Sequence, residues 1–92
     1  MNEERKKPDR AVALRYDGDA PPRVVAKGEG ALARAIVELA REHGVPLHED
    51  PALAALLARV DLETCIPPEL FEAVAAVLAF VYALEGKAPP RP

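Results

Sequence analysis

The spacing of apolar positions changes repeatedly along the chain, and each change predicts an element. Val12, Leu14 and Tyr16 alternate with Ala13 and Arg15, which is the period of a strand. Asp17-Gly18 signals a turn, and Pro21-Pro22 stiffens the exit from it. Arg23 to Gly28 predicts a second strand, with Val24 and Val25 β-branched, and the short connection suits a hairpin. From Glu29 the period lengthens. Leu32, Ile36 and Leu39 fall at i, i+4 and i+7, which predicts a helix buried along that stripe and broadened by Ala33, Val37 and Ala40. Gly44 is its stop. Val45 to Asp50 predicts a short third strand. Asp50 is a helix N-cap with Pro51 at the first helical position, and Leu53, Leu56, Leu57 and Val60 mark that helix's apolar face. Pro67-Pro68 open a last helix, with Leu70, Val74, Val77, Leu78 and Val81 in one stripe and Phe71 and Tyr82 at its edges. Gly86 ends it.

The order β, β, α, β, α, α predicts an α/β fold, a small sheet of about three strands flanked by three helices. The second strand, first helix and third strand are expected to form a right-handed parallel crossover. Residues 1–10 read as a polar head, 11–86 as one folded domain and 87–92 as a proline-rich tail.

Composition narrows the function classes. Half of the 92 residues are hydrophobic, but many of these are alanine, so the core is expected to be thin. The net charge of −3 argues against a nucleic-acid binder, and Glu3 and Glu4 dilute the basic run Arg5-Lys6-Lys7. A single cysteine permits no intramolecular disulfide and no thiolate zinc cluster. No apolar run reaches the length of a membrane span, and Met1 to Arg10 carries no hydrophobic segment of a secretory signal. A soluble cytoplasmic domain without cofactor or metal is expected.

The residues that could carry chemistry mostly favour structural readings. Cys65 would need a base and a lowered thiol pKa to serve as a nucleophile, whereas a lone cysteine in an apolar linker is usually a small hydrophobe. His43 and His48, with Glu42, Glu49 and Asp50 nearby, match no metal-ligand spacing. His43 suits the C-terminal end of a helix, where a cation meets the dipole, and His48 is expected to project from a strand. Lys27-Gly28-Glu29-Gly30 lacks the spacing of a phosphate loop, and Glu29 would repel phosphate there. Lys27 reads as a solvated strand-end residue.

Three stretches taken in order carry a resemblance. "AVALRYDGDAPPRVVAKGEG", "IVELAREHGVPLHEDPALAALL" and "IPPELFEAVAAVLAFVYAL" together resemble the cytoplasmic domain of the FlhB/YscU family of type III secretion export-switch proteins, over roughly Ala11 to Leu84. In that family an Asn-Pro-Thr-His tetrapeptide precedes the first of these strands. Its Asn amide attacks its own carbonyl, and the chain breaks before Pro. Placing Pro8 on the family's Pro puts Lys7 where Asn is needed and Asp9-Arg10 where Thr-His stand. Lys has no carboxamide, so the resemblance implies a degenerate cleavage loop, Lys7 to Arg10, that cannot self-cleave. The family's membrane-embedded half, linker helix and upstream strand have no counterpart here. The chain therefore resembles the free C-terminal cleavage fragment, with the first strand of a four-stranded sheet missing and the Ala11–Tyr16 edge open to another strand.

The resemblance also implies a substrate-docking patch at Pro21, Pro22, Ala75 and Leu78. Ala75 and Leu78 can equally be core residues. The implied function is non-enzymatic. It is that of a flagellar export accessory that substitutes for or modulates the cleaved C-terminal fragment of FlhB. The implied location is the cytoplasm, peripheral to the export gate at the inner membrane. The implied partners are gate proteins (the FlhB membrane half, a FlhA-type component) and rod and hook substrates. A regulator that sequesters export substrates, and a Cys65-dependent enzyme, are the alternatives.

Overall fold

A computed structural model of the chain describes residues 10–85. Lys7, Pro8 and Asp9 of the expected cleavage loop, the Gly86 stop and the tail lie outside these residues. Strand β1 (Arg10–Arg15) pairs antiparallel with β2 (Arg23–Glu29), as the alternating pattern predicts. Helices α1 (Ala31–Glu42), α2 (Pro51–Leu57) and α3 (Phe71–Glu85) follow, the last entered through a 3-10 turn at Pro68–Leu70. The α/β class and the three helices are those expected.

The sheet is smaller than expected. Among the described residues it has two strands, and Val45 to Asp50 is not one of them. Val45 and Leu47 are 52% and 43% exposed, so the apolar residues that suggested a strand have neither a core nor, among the described residues, a neighbouring strand to meet. The parallel crossover is absent with it. The outer edge of β2 is instead held by the loop before Cys65. Val24 N–H donates to the Thr64 carbonyl at 3.1 Å, and Glu63 N–H donates to the Val24 carbonyl at 2.7 Å. Ile66 N–H donates to the Pro22 carbonyl at 2.8 Å, and Arg23 and Cys65 form an isolated antiparallel bridge. Glu63 takes a φ of 64° to make this approach, a left-handed conformation uncommon outside glycine.

The register explains which side chains go where. Val12 lies opposite Lys27, Ala13 opposite Ala26 and Leu14 opposite Val24, so Val25 is an extra residue on β2. This bulge lets Val24 and Lys27, three apart in sequence, share one face. That face meets α2 and α3. Val12 and Leu14 pack there against buried Leu53, Leu57, Ile66 and Val74, and Leu70, Val77 and Leu78 close the cluster. The opposite face is lined by Ala11, Ala13, Ala26 and Gly28 and is covered by α1. The small residues allow close approach. A Cβ on Gly28 would collide with Leu32 Cγ.

The face that α1 buries differs from the predicted stripe. Ala33 is its buried residue, Ile36, Val37 and Ala40 are half-buried, and Leu32 and Leu39 are 56% and 57% exposed. A sheet face of alanine and glycine offers little depth, so the helix sits on its small residue and its leucines ride at the margins. In α2 the Asp50 carboxylate accepts from Leu53 N–H at 3.0 Å, and Pro51 opens the helix, both as read from the sequence. Leu53 and Leu57 are buried, but Leu56 is 47% exposed and the helix stops before Val60.

Candidate functional site: an open strand edge and an apolar patch

The residues first suspected of catalysis do not assemble. Cys65 is half-buried, with its backbone bridged to Arg23. Among the described residues no group of three or more His, Cys, Asp and Glu side chains gathers as metal ligands. His43 caps the end of α1, its Nδ1 3.0 Å from the Leu39 carbonyl. His48 stands on an unpaired segment rather than a strand, and its ring packs edge-on to Phe80 with centroids 5.6 Å apart.

Lys27 is not the solvated residue expected. Its ammonium donates to the carbonyls of Ala58, at 3.0 Å, and Val60, at 2.6 Å. These acceptors lie at and just beyond the C-terminal end of α2, where carbonyls lack intrahelical partners. Lys27 thereby ties β2 to α2. Nothing in its local sequence signals this, because its acceptors are more than thirty residues away.

Two surfaces remain that could receive a partner. The first is the outer edge of β1. Among the described residues, no backbone hydrogen bond joins residues 10–16 to anything outside their own hairpin. Alternate N–H and C=O groups along this edge are therefore unpaired among the described residues. Charge brackets the edge. Arg10 pairs across the sheet with Glu29 at 3.2 Å, while its Nε is buried and has no hydrogen-bond partner among the described residues. Arg15, at the other end, lies opposite Arg23, and both are exposed. Neither has a carboxylate within 4.0 Å among the described residues. Asp17 and Asp19 line the same cleft as these arginines, but Asp17 Oδ1 is engaged by Asp19 N–H at 3.3 Å.

The second is the predicted patch. Pro21 and Ala75 are exposed, and Leu78 is half-buried against the core. Pro22 is buried and its carbonyl accepts from Ile66 N–H, so it is not exposed to a partner. Phe71, one turn before Ala75 on the helix, adds an exposed ring, at 44%. Among the described residues no helix is long and apolar enough to cross a membrane.

The chain resembles known proteins in sequence and in fold. Residues 8–81 match the family described as the FlhB HrpN YscU SpaS Family. The uncharacterized protein YlqH of Bacillus subtilis (strain 168) is 41% identical over 78 residues, covering 83% of this chain and 84% of that protein. The flagellar biosynthetic protein FlhB of Salmonella typhimurium is 44% identical over 91 residues, covering 89% of this chain but 24% of that one. The chain thus spans about a quarter of that FlhB's length. The crystal structure of the cytoplasmic domain of FlhB from Shewanella putrefaciens superposes with a TM-score of 0.76 at 41% identity, over 90% of this chain and 69% of that one.

Proposed function

The chain belongs to the FlhB/HrpN/YscU/SpaS family of type III secretion export-switch proteins, and from that premise we propose that it acts as a non-enzymatic export accessory, taking the place of the cleaved C-terminal part of FlhB or modulating it. The observation that carries this reading is the match to the FlhB cytoplasmic domain in an arrangement whose first strand has an open outer edge. An exposed edge of this kind is a template for strand addition. The strand upstream of the family's cleavage site, supplied by an export-gate protein, is the occupant proposed.

Pro21, Ala75 and Leu78, with buried Pro22 fixing the loop next to Pro21, are proposed to receive rod and hook subunits through apolar contact. The protein is proposed to work in the cytoplasm, at the membrane surface where the gate lies. Lys7 in the position of the cleavage Asn removes the carboxamide that self-cleavage uses, so the protein would act without a timed cut.

The test is secretion of hook and filament subunits from cells whose FlhB is truncated just before its cleavage site, with and without this protein. Restored export is expected. No restoration, with the protein folded and abundant, would overturn the substitution reading in favour of a regulator that sequesters substrates. In the same cells Ala75→Asp is expected to lower export while leaving the circular dichroism spectrum unchanged.

A further inference from the structure

The geometry points to an interaction surface with a charge requirement: the outer edge of β1 takes an extended segment of another polypeptide that carries acidic residues at the ends of an apolar centre. This rests on the reading that β1 accepts a strand, and it adds what that strand must be. β1 reads Arg-Ala-Val-Ala-Leu-Arg, with a guanidinium at each end of the open edge. Like charges directly opposite on neighbouring strands destabilise the pair, and opposite charges stabilise it.

A second copy of this chain offers β1 no acid, because the strand carries none. In-register parallel pairing sets each arginine beside its own copy; Arg10 and Arg15 lie on opposite faces of the strand, so antiparallel pairing with the faces aligned does not set them against each other. Charge at an exposed edge is one device by which natural sheets guard it. Arg15 already faces Arg23 across the hairpin, with no carboxylate in reach among the described residues, so a third cation there would worsen an existing repulsion. An acid at that position could instead accept hydrogen bonds from guanidinium in charge-assisted form. At the other end Arg10 reaches Glu29 through its Nη2, and its buried Nε has no hydrogen-bond partner among the described residues, so an acid there would meet the guanidinium through its exposed part.

The experiment uses the full chain, labelled with nitrogen-15, and three end-blocked peptides at millimolar concentration. Their sequences are Glu-Thr-Val-Thr-Val-Glu, the same with Gln ends, and the same with Lys ends. Amide shifts and hydrogen exchange of Ala11 to Arg15 are followed. The expected result is protection of alternate β1 amides, with the Glu-ended peptide tighter than the Gln-ended one by up to about fivefold per end and the Lys-ended one weakest. Arg15→Gln, at an exposed position, is expected to shrink the preference without abolishing protection. Equal protection by all three peptides would overturn the charge requirement and leave strand docking standing. No protection by any would overturn both. A dimer in sedimentation at equilibrium whose β1 amides are protected would show that the edge takes its own copy, which also overturns the proposal.

Discussion

Lys27 and Gly28 are neighbours that serve opposite faces of one strand, and each makes a sharp prediction. Lys27→Met keeps the aliphatic stem but leaves the Ala58 and Val60 carbonyls without their donor, so it is expected to destabilise the fold by about 1–3 kcal/mol, measured by urea unfolding. Gly28→Ala is expected to cost a similar amount, about 1–3 kcal/mol, because the new methyl collides with the Cβ and Cγ of Leu32 as well as with its flexible tip. Leu32→Ala should recover most of that loss, and the double-mutant cycle measures the coupling. The two residues differed in how far the sequence betrayed them. A glycine ending an apolar run invites a reading as punctuation, while its use here is to let a helix approach. A lysine at a strand end looks solvated unless the end of α2 is known to lie over it.

At the scale of elements, the sequence was most informative where a local rule acts alone. The hairpin followed from alternation and a turn, and α2 from Asp50-Pro51. Asp50→Ala is expected to cost about 1 kcal/mol and to speed exchange of the Leu53 amide first, since that N–H loses its acceptor. The sequence was misleading where the answer depended on a neighbour. Val45 to Asp50 has a strand's pattern and no partner. Glu63 to Ile66 lacks a strand's pattern, yet its backbone bonds to the outer edge of β2. Pattern reports which face could be buried; it does not report whether another strand lies alongside. The Pro21, Ala75 and Leu78 patch came from likeness to a family and not from periodicity, which cannot tell a docking stripe from a core stripe.

At the scale of the whole molecule the core is small. Val24 and Val74 are its largest side chains with under 2% exposure, while Leu32, Leu39, Leu62, Phe80 and Leu84 are about half exposed or more. A domain this size holds few kilocalories in reserve. Stability should therefore rise when the β1 edge is occupied, and the melting temperature with a saturating acid-ended peptide is expected to exceed that of the chain alone. The purified chain should also keep a single unbroken mass through prolonged incubation at neutral pH. Fragments ending at Lys7 would mean that the cleavage chemistry survives without asparagine.

The bulge at Val25 bears on which changes of chain length this protein can absorb. A regular strand alternates, so losing one residue ordinarily transposes inside and outside for everything on one side of the cut. Here the extra residue has already been accommodated. Removing Val25 would leave Val24 and Lys27 separated by Ala26 alone, still on one face, with Leu14 and Val12 still opposite them. Removing Ala13 from β1 would move Leu14 and Arg15 together to the opposite face, or else move Val12 there. The shortened hairpin lacking Val25 is thus expected to melt cooperatively near the parent temperature, and the one lacking Ala13 to lose its fold. Relatives that differ in length within this hairpin should differ at this point in β2.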